Sequence, residues 1–270
     1  MRAATAALLL VAGTAAADPM PMSAGDAPAP STSTEIALAR EELTLDVTRS
    51  EARVKAVLHL ENGGPATQLT VGFPCDAGAD PGLAGLDCKT KIKVLVDGKG
   101  VTPKRKKTVW VWPMKLAAGQ KVDVEVSYAS KLRNDRYESP FSGMGTLYYR
   151  LATGARWAGP IHELRMRVNL PTDAIAHITP AGYTREHGAV IWDLRDVEPD
   201  RDLALLFHPM YFGRPGAELR KDVDEIVRFA TFFQEVARGK LGLPAPTEAE
   251  VRATVEESAK LMEAAAAPPP

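Results

Sequence analysis

The sequence predicts a mainly β protein: an antiparallel β-sandwich, one large or two small, followed by a C-terminal α-helical pair. Three observations predict it. Short runs alternate apolar and polar residues, turn-forming residues fall between those runs, and the spacing changes to three or four residues after Pro215.

Taken in order, residues 1–17 read as a signal peptide, with a basic start at Arg2, an apolar stretch from Ala6 to Ala12, and small residues at Ala15 and Ala17. Cleavage is expected between Ala17 and Asp18. The apolar stretch is well short of the roughly 20 residues a spanning helix needs, so no transmembrane segment is expected after cleavage. The cleavage region has no cysteine to take a lipid. Residues 18–34 are rich in Pro, Ala, Ser and Thr and have almost nothing to bury, which predicts a flexible leader.

Residues 35–212 should form the sandwich. Leu43, Leu45 and Val47 alternate with polar residues, and Val54, Ala56, Leu58 and Leu60 do the same. Further strands are expected at Leu69 to Phe73, Ile92 to Val96, Val109 to Trp112 and Val122 to Tyr128. A second set follows at Leu147 to Leu151, Leu164 to Leu170, Ala174 to Thr179, Ala189 to Leu194 and Leu203 to Phe207. Asn62-Gly63-Gly64-Pro65, Asp97-Gly98 and Ala118-Gly119 supply turns between them. No helical pattern separates the strands, which argues against a βαβ fold.

Residues 215–263 should be a helical appendage. Leu219, Val223, Ile226, Ala230, Phe233 and Val236 line one side of a helix from about Ala217 to Arg238, with Phe229 and Phe232 widening the apolar surface. Thr247 and Glu250 form a capping box for a second helix through Val251, Val255 and Leu261 or Met262. The apolar stripes must be covered, by the sandwich or by a partner chain. Residues 264–270 should be a disordered tail.

Cys75 and Cys88 flank a segment dense in Asp, Gly, Ala and Pro, and in an oxidising compartment they suggest a disulfide. Closing such a loop is worth about 3 kcal/mol in the chain-entropy model. Their spacing is far wider than a Cys-x-x-Cys redox pair.

Tyr148, Leu151, Thr153-Gly154, Trp157, Gly159-Pro160 and Ile161 stand together ahead of the Leu164 strand. Upstream lie Trp110, Trp112, Leu116, Gly119 and Tyr128, and downstream Trp192-Asp193-Leu194, Pro199 and Asp202-Leu203. From about Glu35 to Met210 this order resembles an uncharacterised family of exported bacterial proteins, a domain of unknown function. The resemblance implies a β-rich exported domain and brings no catalytic residue with it.

The 33 basic and 34 acidic residues nearly cancel; loss of Arg2 with the signal leaves 32 against 34, or −2. That balance gives no global attraction to nucleic acid. Hydrophobic residues are 45% of the chain, enough for a core. The five histidines are not paired at zinc-ligand spacing, and Ser139 and Ser142 lack the Gly-x-Ser-x-Gly elbow. Asp76, Asp80 and Asp87 depart from the calcium-loop spacing. No cofactor or metal is therefore expected. Lys104-Arg105-Lys106-Lys107 is a candidate contact for an anionic partner, with a solvated turn or an aggregation guard as the plainer readings. The expected protein is a periplasmic or secreted, non-enzymatic envelope module that binds or scaffolds an envelope protein or anionic surface. Its rival is an exported hydrolase whose site is assembled from separated residues such as His162, Glu163 and Asp193.

Overall fold

The computed structural model describes residues 20–22, 35–48, 51–74, 89–107, 109–131, 145–149, 151, 154–198, 202–207, 216–228, 230 and 246–266. The alternation that opens the folded chain produces its longest hairpin, β2 (Ile36–Val47) with β3 (Glu51–Asn62). Leu43, Leu45 and Val47 from β2 and Val54, Ala56, Leu58 and Leu60 from β3 all point into the core. Between Leu38 and Arg40 the register shifts. One extra residue inverts the alternation, because side chains change face at every step. Ile36 and Leu38 are therefore followed inward by Glu41 rather than Arg40.

The other strands are β1 (Met20–Met22), β4 (Thr67–Pro74), β5 (Lys93–Val96), β6 (Lys99–Val101), β7 (Lys104–Lys106), β8 (Val109–Leu116) and β9 (Lys121–Lys131), then β10 (Gly145–Tyr149), β11 (Ile161–Asn169), β12 (Ile175–Thr179), β13 (Tyr183–Glu186), β14 (Ala189–Val197) and β15 (Leu203–Phe207). They make three sheets: eight strands in the order β13-β14-β11-β2-β3-β9-β5-β6, four in the order β1-β4-β8-β7, and three in the order β10-β15-β12. The turn between β5 and β6 takes positive φ at both Asp97 (48°) and Gly98 (72°), as a two-residue hairpin of matching twist requires.

This corrects the expected antiparallel sandwich. β11 lies parallel to β2, from Glu163 opposite Arg40 to Asn169 opposite Asp46, so the large sheet is mixed. Alternation reports only that one face of a strand is buried, and it is the same whichever direction the neighbour runs. Instead of two matched sheets there are one large sheet and two small ones, joined through a shared core. Phe73 of β4 meets Tyr128 of β9 edge-on, with ring centroids 5.7 Å apart, and Tyr149 of β10 reaches Glu41 of β2. A single buried cluster runs through all three sheets.

Three local features add to the expected outline. Met20–Met22, within the segment expected to be a flexible leader, pairs with β4. A turn at Asp222 divides the helix expected from Ala217 to Arg238: α1 (Gly216–Lys221) precedes helical residues 223–228 and 230, and 231–245 lie outside the described residues. Helix α2 (Glu248–Ala266) runs three residues into the expected tail.

The helices cover the outer face of the three-stranded sheet. Leu219, Ile226, Val227 and Ala230 pack with Val251, Val255, Ala259 and Met262 on Ala174, Ala176 and Leu206. α2 starts on the expected capping box: Thr247 Oγ1 accepts from the Glu250 N–H at 3.2 Å, and the Glu250 carboxylate accepts from the Thr247 N–H at 2.6 Å. At Gly216 a Cβ would stand 2.2 Å from the Ala259 carbonyl oxygen, so the close approach of α1 to α2 admits only glycine there.

A polar clamp fixes α2. Arg185 on β13, its side chain 1% exposed, donates to Ser258 Oγ on α2 at 2.9 Å and to the Asp173 carbonyl at 2.8 Å. Ser258 also accepts from the Ile175 N–H at 3.2 Å. The Asp173 carboxylate accepts from the Gly188 N–H at 2.8 Å and meets His187 Nδ1 at 2.5 Å. Burial lowers the Arg185 pKa, while Glu257 and Asp173 oppose that shift.

Candidate functional site

The outward positions of the eight-stranded sheet carry charges in cross-strand pairs. Directly opposed residues of opposite sign attract across a strand pair, and three such pairs follow the register: Glu61 with Lys121 (2.6 Å), Glu163 with Arg195 (3.1 Å) and Arg165 with Asp193 (3.9 Å). Lys55 reaches Glu125 at 3.1 Å, and Arg40 reaches Glu42 at 3.2 Å.

His59 sits at the centre of this lattice. An Arg40 guanidinium nitrogen lies 3.0 Å from His59 Nε2, and Asp123 Oδ1 lies 2.6 Å from Nδ1. Arginine can only donate, so in this arrangement Nε2 accepts and the ring proton lies on Nδ1, directed at Asp123. Beside this chain a depression of about 360 Å³ is lined by Arg40, His59, Lys121, Asp123, His162 and Glu163. A second, of about 310 Å³, lies over Glu42, Thr44, Arg165, Arg167, Trp192 and Asp193. Both open on the outer face of the sheet.

The residues named for the hydrolase reading share this face but not one another's hydrogen bonds. His162 pairs with Asp196 at 2.9 Å, Glu163 is bridged by Arg195 and Arg165, and Asp193 is reached by Arg165. Among the described residues no hydrogen bond joins His162 to Glu163 or Asp193, and no three His, Cys, Asp or Glu side chains converge as a metal cluster. Burial lowers the pKa of His177, with Glu250 opposing. Trp112, Trp157 and Trp192 are buried and Trp110 is half-buried, so at most Trp110 offers ring surface to a sugar.

Among the described residues the inner face of the same sheet holds one carboxyl, Glu41, fully buried among apolar side chains. Tyr149 OH donates to its Oε1 at 3.3 Å, and Oε2 has no hydrogen-bond partner among the described residues. Burial raises its pKa to about 7, partly opposed by Tyr149. Sequence reasoning began the inward series at Leu43 and missed it. Reading the period-two series back by one more step, from Leu43 to Glu41, would have found it.

Lys104, Arg105 and Lys106 form β7, paired with Val111, Trp110 and Val109 of β8, and Lys107 turns the chain with φ of 52°. All four side chains are exposed. Ala17, Asp18, Cys75 and Cys88 lie outside the described residues, as do Ser139, Ser142, His208 and the aspartates of the cysteine segment. Among the described residues no helix is long and apolar enough to cross a membrane.

No family model matches the chain, and no curated protein does. A proposed nutrient-binding protein from Legionella pneumophila aligns over 89% of this chain and 81% of its own length, with a TM-score of 0.59 and 16% identity. At that identity the shared property is the fold. An M1 zinc metallopeptidase from Deinococcus radiodurans (12% identity, TM-score 0.37) covers 65% of this chain, and yeast LTA4 hydrolase (10%, 0.38) covers 63%. The matches take up 43% and 28% of those enzymes, too little and too loose to carry chemistry to this chain. The resemblance centred on Tyr148 to Ile161 thus gains no family model, and the structure agrees with its coarser content, a mainly β fold.

Proposed function

We propose that this chain is an exported, non-enzymatic module that binds or scaffolds another component of the cell envelope. One observation carries the reading: beneath the large sheet the space is filled by Trp112, Trp192, Tyr149, Phe73 and Phe207, while the charges above are paired to one another. Reactive groups held by structural partners over a filled interior suit a recognition surface better than an acid–base site. In this proposal residues 1–17 direct export, cleavage follows Ala17, Cys75 and Cys88 are bonded, and 18–34, 35–212, 215–263 and 264–270 are the leader, β unit, helical appendage and tail.

A narrower version draws on the Legionella neighbour: a small charged solute held in the depression beside His59. The presence of both Arg40 and Asp123 there favours a zwitterionic or polar ligand.

The test is affinity purification of the mature protein from its own envelope fraction, with mass spectrometry of its N-terminus and thiol labelling before reduction. A reproducible envelope component, Asp18 as first residue and no free thiol are expected. Retention of Met1 on secreted material would remove the export argument. Hydrolysis of a peptide or ester substrate, lost on His162→Ala, would replace the module by the enzyme.

A further inference from the structure

The charge balance of the whole chain hides one local excess. Residues 89–107 hold eight cations, Lys89, Lys91, Lys93, Lys99, Lys104, Arg105, Lys106 and Lys107, against one acid, Asp97, although the complete chain is nearly neutral at −1. All eight side chains are exposed. By contrast, Arg40, Lys55, Lys121, Arg165, Arg195 and Arg220 each reach a carboxylate. Lys91, Lys93, Lys99, Lys104, Lys106 and Lys107 have no such partner among the described residues.

The fold brings these cations to one margin. β6 is the last strand of the eight-stranded sheet and β7 the last of the four-stranded sheet, and only Thr102 and Pro103 separate them in the chain. Val94 faces Val101, so the chain leaving β6 passes beside Lys93 on its way to Lys104. The edges of two sheets therefore meet in a single basic rim.

We infer that this rim is a docking surface for anionic phospholipid headgroups, which rests on the envelope reading above and names the partner. The composition selects that partner. Seven of the eight cations are lysines, point charges on flexible stems, and they suit a diffuse field of phosphates. A specific protein interface concentrates arginine and buried aromatic anchors and is poor in lysine.

The full mature protein is sedimented with vesicles of pure phosphatidylcholine and with vesicles containing one-third phosphatidylglycerol. Binding to the anionic vesicles alone is expected, reversed by about half-molar salt, where the screening length shrinks to a few ångströms. The triple variant Lys104→Gln, Lys106→Gln, Lys107→Gln should bind roughly 10- to 100-fold more weakly with unchanged melting, since these side chains are exposed and unpaired. Lys55→Gln, which removes a cation paired with Glu125, should bind as the parent does. Equal binding to both vesicle types, or a triple variant as tight as the parent, overturns the inference. Vesicle binding absent while an envelope protein is still captured defeats the lipid partner and leaves the module standing. Absence of both defeats both.

Discussion

Glu41 and Glu42 are adjacent in one strand, yet they lie in different chemical worlds. Glu42 faces outward and meets Arg40 at 3.2 Å; Glu41 faces inward, where its hydrogen bond among the described residues is a long one from Tyr149, and its pKa is raised to about 7. The two faces of the eight-stranded sheet handle charge by different means. Outside, Glu42, Glu61, Glu125, Glu163 and Asp193 each lie beside a cation while water screens both, so any one pair contributes little. Inside there is no cation among the described contacts of Glu41, and burial shifts the carboxyl toward its protonated form.

The largest effect should come from uncovering a third surface, the outer side of the three-stranded sheet. Deleting everything after Pro215 exposes Ala174, Ala176 and Leu206 and leaves Arg185 without Ser258. A fall of about 10 °C in Tm is expected by scanning calorimetry, corresponding to a few kcal/mol in a chain of this size. An unchanged Tm would show that the helices do not support the sheet.

The second effect tests the inner face. Below about pH 4.5 the Glu41 carboxyl is protonated whether the chain is folded or unfolded. From there to about pH 7 only the unfolded chain ionises, so the folded state binds the extra proton and stability falls as pH rises. The loss is on the order of 3 kcal/mol and is complete above pH 7. Glu41→Gln, a neutral mimic of the protonated form, should be more stable than the parent at pH 8, and its urea midpoints should lack this component of the pH slope. A variant whose slope matches the parent's would mean that Glu41 is ionised throughout.

The smallest effect tests the outer face. Arg165 is 48% exposed and bridges Glu163 and Asp193, so Arg165→Ala should cost no more than about 1 kcal/mol by urea titration, and less in high salt. A loss of several kcal/mol would erase the contrast between the two faces.

Much of the secondary structure was legible because alternation and turn chemistry are local. β2, β3, β4, β9, β14 and β15 overlap the expected strands, and the Thr247 cap lies where the sequence placed it. β13 was missed: its four residues, Tyr-Thr-Arg-Glu, hold only one apolar side chain and alternate too briefly to signal a strand. At the candidate surfaces, Lys104 to Lys107 were legible as a charge run. The His59 chain was not, since its partners Arg40 and Asp123 are 19 and 64 residues away.

By itself the sequence determined which side chains seek water, where the chain turns and where the β pattern gives way to helix. Those properties depend on a few neighbouring residues. Only the tertiary structure decided that β11 lies parallel to β2, that a bulge before Arg40 brings Glu41 into the core, that Arg185 closes on Ser258, and that two sheet edges join into one basic rim. Each of these depends on which strands become neighbours, and that is settled by burying the inward faces together, an energy shared across the whole chain rather than carried by any one segment.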